Sequence, residues 1–192
     1  MADINGTYEL GPGDGRILVK TQREGLAARA GHDLTIEIAR WSARVTIPDA
    51  AAGGLAAAAL TAELDLGSLA VREGSGGAKP LSDKDRRDIQ SQARKILGSQ
   101  AIATFTSARV ILDAGSSQAD AATSGAIEGT LNLHGAARPL ALTVTSPAPG
   151  QFRGSATLRQ TDFGITPYSG FFGALKLKNE IAVAFEVDLK DV

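Results

Sequence analysis

Apolar and polar residues alternate with a period of two along most of the chain. The alternation is clearest where Leu34, Ile36 and Ile38 are interleaved with Thr35 and Glu37. One apolar face per segment is typical of a half-buried antiparallel strand. We predict about ten such strands from this pattern. They cover residues 7–10, 17–22, 34–39, 41–47, 60–66, 102–112, 127–134, 140–144, 152–159 and 181–189.

Short Gly- and Pro-rich turns separate the predicted strands, for example at residues 48–54 and 147–150. Many strands joined by short turns predict an all-β chain, either a sandwich or a barrel. Gly129 and Gly154 fall inside strand patterns, where glycine often indicates a bulge or a tight bend. The sequence contains no internal repeat and no linker, so we expect residues 1–192 to form a single domain.

A single amphipathic helix is predicted where the strand pattern stops. Ser82 is a candidate N-cap with Asp85 three residues on, a weaker form of the capping box. Gly98 is a suitable end for the helix. The apolar residues of the segment follow helical spacing: Ile89, Ala93, Ile96 and Leu97. A second, shorter helical turn is expected at residues 25–31, and residues 73–78 are expected to form a Gly/Ser loop.

Composition excludes several classes of protein. The chain has 192 residues, 43% of them hydrophobic, with 20 basic and 21 acidic residues. Because cysteine is absent, disulfides, thiol nucleophiles and cysteine-ligated metals are excluded. The balanced charge gives no electrostatic footprint for nucleic acid. The first residues do not resemble a secretory signal, and no apolar run is long enough to span a membrane, so a cytoplasmic protein without a membrane span is expected.

The two histidines are the residues to weigh for catalysis. His32 precedes Asp33, but neighbouring strand residues point to opposite faces, so these side chains should not pair. His134 falls in a predicted turn, and neither histidine is accompanied by a nucleophile motif. We therefore expect no enzyme, no cofactor and no metal site. The alternative of a histidine-dependent enzyme would be recognised by activity that His32→Ala abolishes.

Four of the chain's few aromatic residues fall within one Gly- and Pro-rich stretch without strand alternation: Phe163, Tyr168, Phe171 and Phe172. A loop with this much apolar surface is expected to bury it. It could plug the end of a barrel, form the wall or lid of an apolar ligand cavity, or make a dimer contact. The pattern leaves these three interpretations open, since each would bury the same rings.

Three stretches together resemble a known family. Residues 129–140 (GTLNLHGAARPL) are similar to its characteristic hairpin, residues 159–165 (RQTDFGI) to its R-x-D-F-G-I segment, and residues 103–107 (ATFTS) to one of its strands. On these motifs the chain is identified as a member of the YceI-like, lipocalin-like polyisoprenoid-binding proteins. The likeness extends in order along nearly the whole chain. Residues 87–90 depart from it, since they lack the histidine that the family carries there.

The resemblance implies an extended, eight-stranded antiparallel lipocalin-like barrel with one amphipathic helix. It also implies an elongated cavity that binds, stores or transports a long-chain isoprenoid, a quinone or a similar amphiphilic lipid, and a homodimer. Many relatives are periplasmic. The alternative is a filled barrel that acts as a dimer in assembly or in the stress response. We expect Trp41, Phe105, Phe163, Phe171 and Phe172 at the cavity wall or mouth. The expected hydrogen-bond partners of the lipid head group are His32, Arg159 and Tyr168.

Overall fold

The computed structural model describes residues 4–98, 101–113 and 123–189. Its strands follow the alternating segments of the sequence. In chain order they are β1 (Gly6–Leu10), β2 (Gly15–Thr21), β3 (Arg23–Glu24), β4 (Asp33–Ile38), β5 (Trp41–Ile47), β6 (Ala59–Asp65), β7 (Leu69–Ser75), β8 (Ile102–Leu112), β9 (Thr123–Leu133), β10 (Ala136–Ala148), β11 (Gln151–Arg159), β12 (Ser169–Gly170), β13 (Leu175–Leu177) and β14 (Glu180–Asp188). The helix α1 spans Asp83–Leu97.

Eleven strands form one antiparallel sheet in the order β1-β5-β6-β8-β9-β10-β11-β14-β2-β4-β7. A second sheet of three short strands has the order β12-β13-β3. The predicted all-β, lipocalin-like architecture with one helix is therefore confirmed. The main sheet has eleven strands where eight were expected. Strand β7 is not apparent in the sequence because only Leu69 and Val71 continue an apolar alternation. Its last residues, 73–75, fall in the expected Gly/Ser loop, which is therefore shorter than expected.

The helix α1 forms where the capping signals predict it. The main-chain N–H of Asp85 donates to Ser82 Oγ at 3.2 Å, and the main-chain N–H of Ser82 donates to Asp85 Oδ2 at 2.9 Å. Both halves of the capping box are therefore present. Arg86 Nη1 donates to the main-chain oxygens of Val71 at 3.0 Å and Arg72 at 2.7 Å. These bonds hold α1 against β7, a strand at one end of the sheet order, and so protect that edge.

A bulge in β8 sets which of its side chains face inward. The register of β8 against β9 shifts between Ser107 and Arg109, and Gly129 is the partner of Ser107. The shift exchanges the inner and outer positions along β8, so Ile111 becomes 40% exposed. The bulge lies in β8 opposite Gly129, whereas the pairing of Gly129 with β10 is regular. At Gly154 the pairing with β14 is regular, and the missing side chain instead makes room for the ring of Phe185.

Several short 3-10 turns connect the strands, and two of them, at Ala28–Ala30 and Phe171–Gly173, lie against the small sheet. The helical turn expected at residues 25–31 is a 3-10 turn at Ala28–Ala30. Further 3-10 turns occupy Gln160–Phe163 and Phe171–Gly173. Within the described ranges, no helix has both the length and the apolar character needed to cross a membrane.

Candidate lipid-binding cavity

A cavity of about 960 Å³ lies between the inner face of the curled sheet and α1. Strand β10 shows how the sequence builds its wall. Leu140, Leu142 and Val144 line the cavity and are half-buried, whereas Ala141 and Thr143 between them are exposed on the outside. Large aliphatic side chains on the inner face thus pack beside the core and also border the cavity. An apolar chain inside would remove this surface from water, a contribution of about 25 cal/mol per Å².

The helix supplies a second wall. Ile89, Ala93 and Ile96 line the cavity, and these are residues of the apolar stripe predicted from the sequence. Ile89 also packs beside Leu34 and Val71. The amphipathic pattern of α1 is therefore explained by two tasks, covering the edge of the sheet and closing one side of the cavity.

One part of the lining is polar. Thr21 ends the inward alternation of β2, lines the cavity and is only 8% exposed. Its Oγ1 is buried and, among the residues that the structure describes, has no hydrogen-bond partner. An unpaired buried hydroxyl costs about 1–3 kcal/mol. His32 and Tyr168 also belong to the lining. This region can therefore accept a polar group of a bound molecule.

The neighbouring residues His32 and Asp33 have separate partners, as the strand alternation predicts. His32 Nε2 lies 2.7 Å from the main-chain oxygen of Lys79, and a Cβ at Gly77 would come within 2.4 Å of the same nitrogen. Asp33 accepts a hydrogen bond of 2.8 Å from the main-chain N–H of Arg23. The imidazole is thus fixed by the loop before α1, and Asp33 is not positioned to activate it.

The cavity reaches the surface beside α1. Lys79, Pro80, Asp85 and Gln92 line the cavity and are exposed to solvent as well. The pKa of Asp85 is lowered, chiefly by the hydrogen bonds of its carboxylate with the Ser82 side chain and main chain. This side of the cavity therefore carries an ionised carboxylate, whereas the interior is aliphatic.

Of the eight predicted contact residues, four belong to the lining and four do not. Trp41 and Phe105 are 7% and 5% exposed, and both line the cavity together with His32 and Tyr168. The other four lie elsewhere. Phe163 is 3% exposed in the core, Arg159 is exposed at the end of β11, and Phe171 and Phe172 are 65% and 113% exposed. Of the four aromatic residues in the loop, Phe163 is therefore buried, Tyr168 lines the cavity, and Phe171 and Phe172 are exposed.

Sequence reasoning missed most of the aliphatic wall and the polar position. Val183, Phe185 and Val187 of β14 line the cavity, as does Thr21. The alternation already marked these positions as one face of their strands. It could not show that this face borders an open space rather than a packed core, because that depends on the volumes of all the facing side chains.

The characteristic hairpin holds the segment after β11. His134 and Gly135 have φ values of 51° and 78°, as in a two-residue turn between β9 and β10. His134 Nδ1 lies 3.2 Å from the main-chain oxygen of Phe163, and Arg138 Nε donates to that of Asp162 at 3.0 Å. His134 is not part of the cavity lining. Its position supports a structural task for this histidine.

The fold is similar to solved structures over almost their full length. BcnA from Burkholderia cenocepacia is 14% identical, with a TM-score of 0.54 over 90% of this chain and 94% of that chain. A polyisoprenoid binding domain from Saccharophagus degradans, implicated in plant cell wall breakdown, is 13% identical, with a TM-score of 0.53 over 95% and 98% of the two chains.

The likeness to these two structures is one of fold. A comparison with curated proteins gave no match. The sequence matches the YceI-like domain over residues 18–189. This match spans most of the chain and includes all three motifs noted in the sequence. The protein therefore belongs to the family of YceI-like domain proteins.

Proposed function

We propose that this protein binds a long-chain isoprenoid, or an amphiphilic lipid of similar shape, in the cavity between the sheet and α1. The observation that carries the proposal is the wall of half-buried aliphatic side chains around about 960 Å³ of space. Such side chains gain further contacts when an apolar guest is present. Membership of the YceI-like family and the name of the Saccharophagus degradans domain support the choice of an isoprenoid.

The polar group of the lipid is proposed to lie near Thr21. The unpaired Oγ1 of Thr21 can donate to a quinone carbonyl, and it can donate to or accept from an alcohol. His32 and Tyr168 are further hydrogen-bond partners in this proposal, since both line the cavity. The chain length of the lipid would then be selected by the aliphatic wall, and its head group by a small number of hydrogen bonds.

Native mass spectrometry of the freshly purified protein tests the proposal directly. We expect a discrete mass excess that organic extraction identifies as a quinone or another polyprenyl lipid. Incubation of delipidated protein with a long-chain isoprenoid should restore the same complex. A protein that is free of lipid when purified, and stays so after this incubation, would contradict the proposal and favour the filled barrel.

A pair of adjacent substitutions tests whether the lipid occupies this cavity. Leu142→Trp places a larger ring in the space, whereas Thr143→Trp places it on the outer face of the same strand. We expect Leu142→Trp to weaken retention of the long chain by about tenfold or more, because the added volume competes with the lipid. Thr143→Trp should bind as the wild type does. Equal retention by both variants would place the lipid elsewhere.

Transport and homodimerisation are finer parts of the proposal. Transport requires that a loaded protein exchange its lipid with a membrane, which transfer between donor and acceptor vesicles would measure. Homodimerisation would appear as a doubled mass in light scattering. A monomer that still binds lipid would remove the dimer from the proposal without affecting the cavity.

A further inference from the structure

Three large apolar side chains are the most exposed of their kind in the described part of the chain. Leu26 is 101% exposed, Phe171 65% and Phe172 113%, whereas the next, Ile102, is 49% exposed. We call Leu26, Phe171 and Phe172 the apolar tip. Single exposed apolar residues are ordinary on protein surfaces, but several at one place indicate an interaction site.

The small sheet brings the members of the apolar tip to one corner. Strand β13 pairs with β3, with Lys176 opposite Glu24. Beyond this pair, the main-chain N–H of Ala27 donates to the oxygen of Ala174 at 2.9 Å. Residue 26 therefore runs beside residue 174, at the end of the turn that carries the two phenylalanines.

The backbone of this turn presents the rings outward at a conformational cost. Phe171 and Phe172 have φ values of 49° and 54°. Bulky residues rarely adopt this left-handed region, which asparagine and glycine occupy more readily. Local strain of this kind often marks a functional position. Two exposed phenylalanines are thus held where a polar turn would be easier to form.

The two segments that form the apolar tip carry more basic than acidic residues. Residues 22–31 and 164–179 contain four basic residues (Arg23, Arg29, Lys176 and Lys178) and one acidic residue (Glu24), although the whole chain has a net charge of −1. Asp33 offsets part of this charge, since it lies 3.6 Å from Arg23. Lys176 and Lys178 are exposed, and Lys178 Nζ donates to the neutral Gln22 side chain at 2.8 Å.

We propose that the apolar tip docks this protein on an anionic phospholipid bilayer. Phe171, Phe172 and Leu26 would enter the interface between head groups and acyl chains, while the flanking basic residues contact the anionic head groups. The charge argues against a second copy as the occupant, because a tip-to-tip dimer would bring two basic corners together.

The small sheet also connects the apolar tip to the cavity. Leu175 and Leu177 of β13 line the cavity, while Lys176 between them faces solvent. Arg23 of β3 donates to the main-chain oxygen of Ser75 at 2.7 Å, at the start of the segment that continues to the cavity opening at Lys79. Docking would therefore hold this side of the cavity close to the bilayer. The proposal goes beyond lipid binding in the cavity and does not depend on it.

Vesicle co-sedimentation tests the proposal with the full chain. The vesicles contain phosphatidylcholine alone or phosphatidylcholine with phosphatidylglycerol. We expect the wild type to bind the anionic vesicles, less so as salt is raised. The double variant Phe171→Asn/Phe172→Asn tolerates positive φ and should lower the bound fraction about tenfold, because it removes the inserted apolar area. Lys176→Ser/Lys178→Ser should reduce the preference for phosphatidylglycerol.

A matched control replaces exposed apolar residues away from the tip. Ile102→Thr/Ile111→Thr on β8 should bind anionic vesicles as the wild type does. Wild-type protein that does not bind these vesicles, or equal binding by the asparagine variant, would overturn the proposal. So would a dimer that the asparagine variant loses, seen by light scattering without vesicle binding. Lipid added to the same variants from an organic solvent reports on the cavity alone, so failure of lipid binding is distinguished from failure of docking.

Discussion

His134 Nδ1 lies 3.2 Å from the main-chain oxygen of Phe163, and this contact joins the two most family-like stretches of the sequence. The carbonyl can only accept, so the Nδ1 atom carries the proton. Arg138 reinforces the contact by donating to the neighbouring oxygen of Asp162 at 3.0 Å. The hairpin thereby fixes a segment whose phenylalanine is 3% exposed. These contacts give the motif residues a structural task.

His134→Asn tests this explanation. Asparagine tolerates the positive φ of the turn but is too short to reach Phe163, so we expect the free energy of unfolding to fall by about 1 kcal/mol. Urea denaturation measures the change. Ala137→Ser, at an exposed position of the same hairpin, should leave stability unchanged. If His134→Asn abolished a measurable activity while stability stayed the same, the histidine would be functional rather than structural.

Replacement of Gly154 by a larger residue should destabilise the protein for a steric reason. A Cβ there would lie 2.4 Å from Phe185 Cζ and 2.8 Å from the main-chain oxygen of Thr143. Gly154→Ala must therefore displace the ring towards the cavity, and we expect a loss of about 1–3 kcal/mol in unfolding free energy. Gly13→Ala is the control, because nothing lies within 4 Å of its added Cβ. Equal denaturation midpoints for the two variants would show that the ring moves freely.

The sequence predicts the long strands and the helix because each has a regular apolar period over several residues. The alternation of Lys176 and Lys178 with Leu175 and Leu177 also indicates a strand face, where the structure has β13, but β3 and β12 are not predicted because two residues cannot establish a period. The apolar period also could not predict which aromatic residues of the loop are buried and which are exposed. Phe163 is buried in the core and its main-chain oxygen is bound by the distant hairpin, whereas the exposure of Phe172 follows from its backbone conformation. The first is a tertiary effect and the second a local backbone conformation, and neither can be predicted from an apolar period.

The stability of the protein should decrease in acid partly because of Asp65. Arg40 donates to its carboxylate at 2.7 and 2.9 Å, and the pKa of Asp65 is lowered from its ordinary value of 3.8, chiefly by this side-chain bond. The unfolded chain binds the proton more tightly than the folded one. The stabilisation is therefore complete above about pH 4 and is lost as pH falls through the folded pKa.

The Asp65→Asn variant isolates this effect. We expect it to be less stable than the wild type at pH 7, by about 1 kcal/mol because the partners are partly exposed, and the difference should shrink below pH 4. Urea denaturation at several pH values measures this. Asp49→Asn is a comparison that keeps an oxygen for the main-chain N–H of Ala52 and has no ion pair among the described residues. A difference for Asp65→Asn that stayed constant with pH would contradict the assignment.

Thr21→Val should raise the stability of the lipid-free protein and lower its affinity for a lipid with a polar head group. Valine has nearly the shape of threonine but lacks the unpaired Oγ1. Without lipid we expect the variant to be more stable than the wild type by about 1 kcal/mol, because a buried hydroxyl no longer lacks a partner. With a quinone-headed isoprenoid we expect affinity to fall by about five- to tenfold, since the head group loses a hydrogen bond. Thr157→Val, exposed on β11, should change neither quantity. Denaturation of delipidated protein measures the stability, and a binding titration measures the affinity. The prediction requires that stability rise while affinity falls. A lipid that contacted Thr21 only through its apolar chain would instead bind the variant at least as tightly as the wild type.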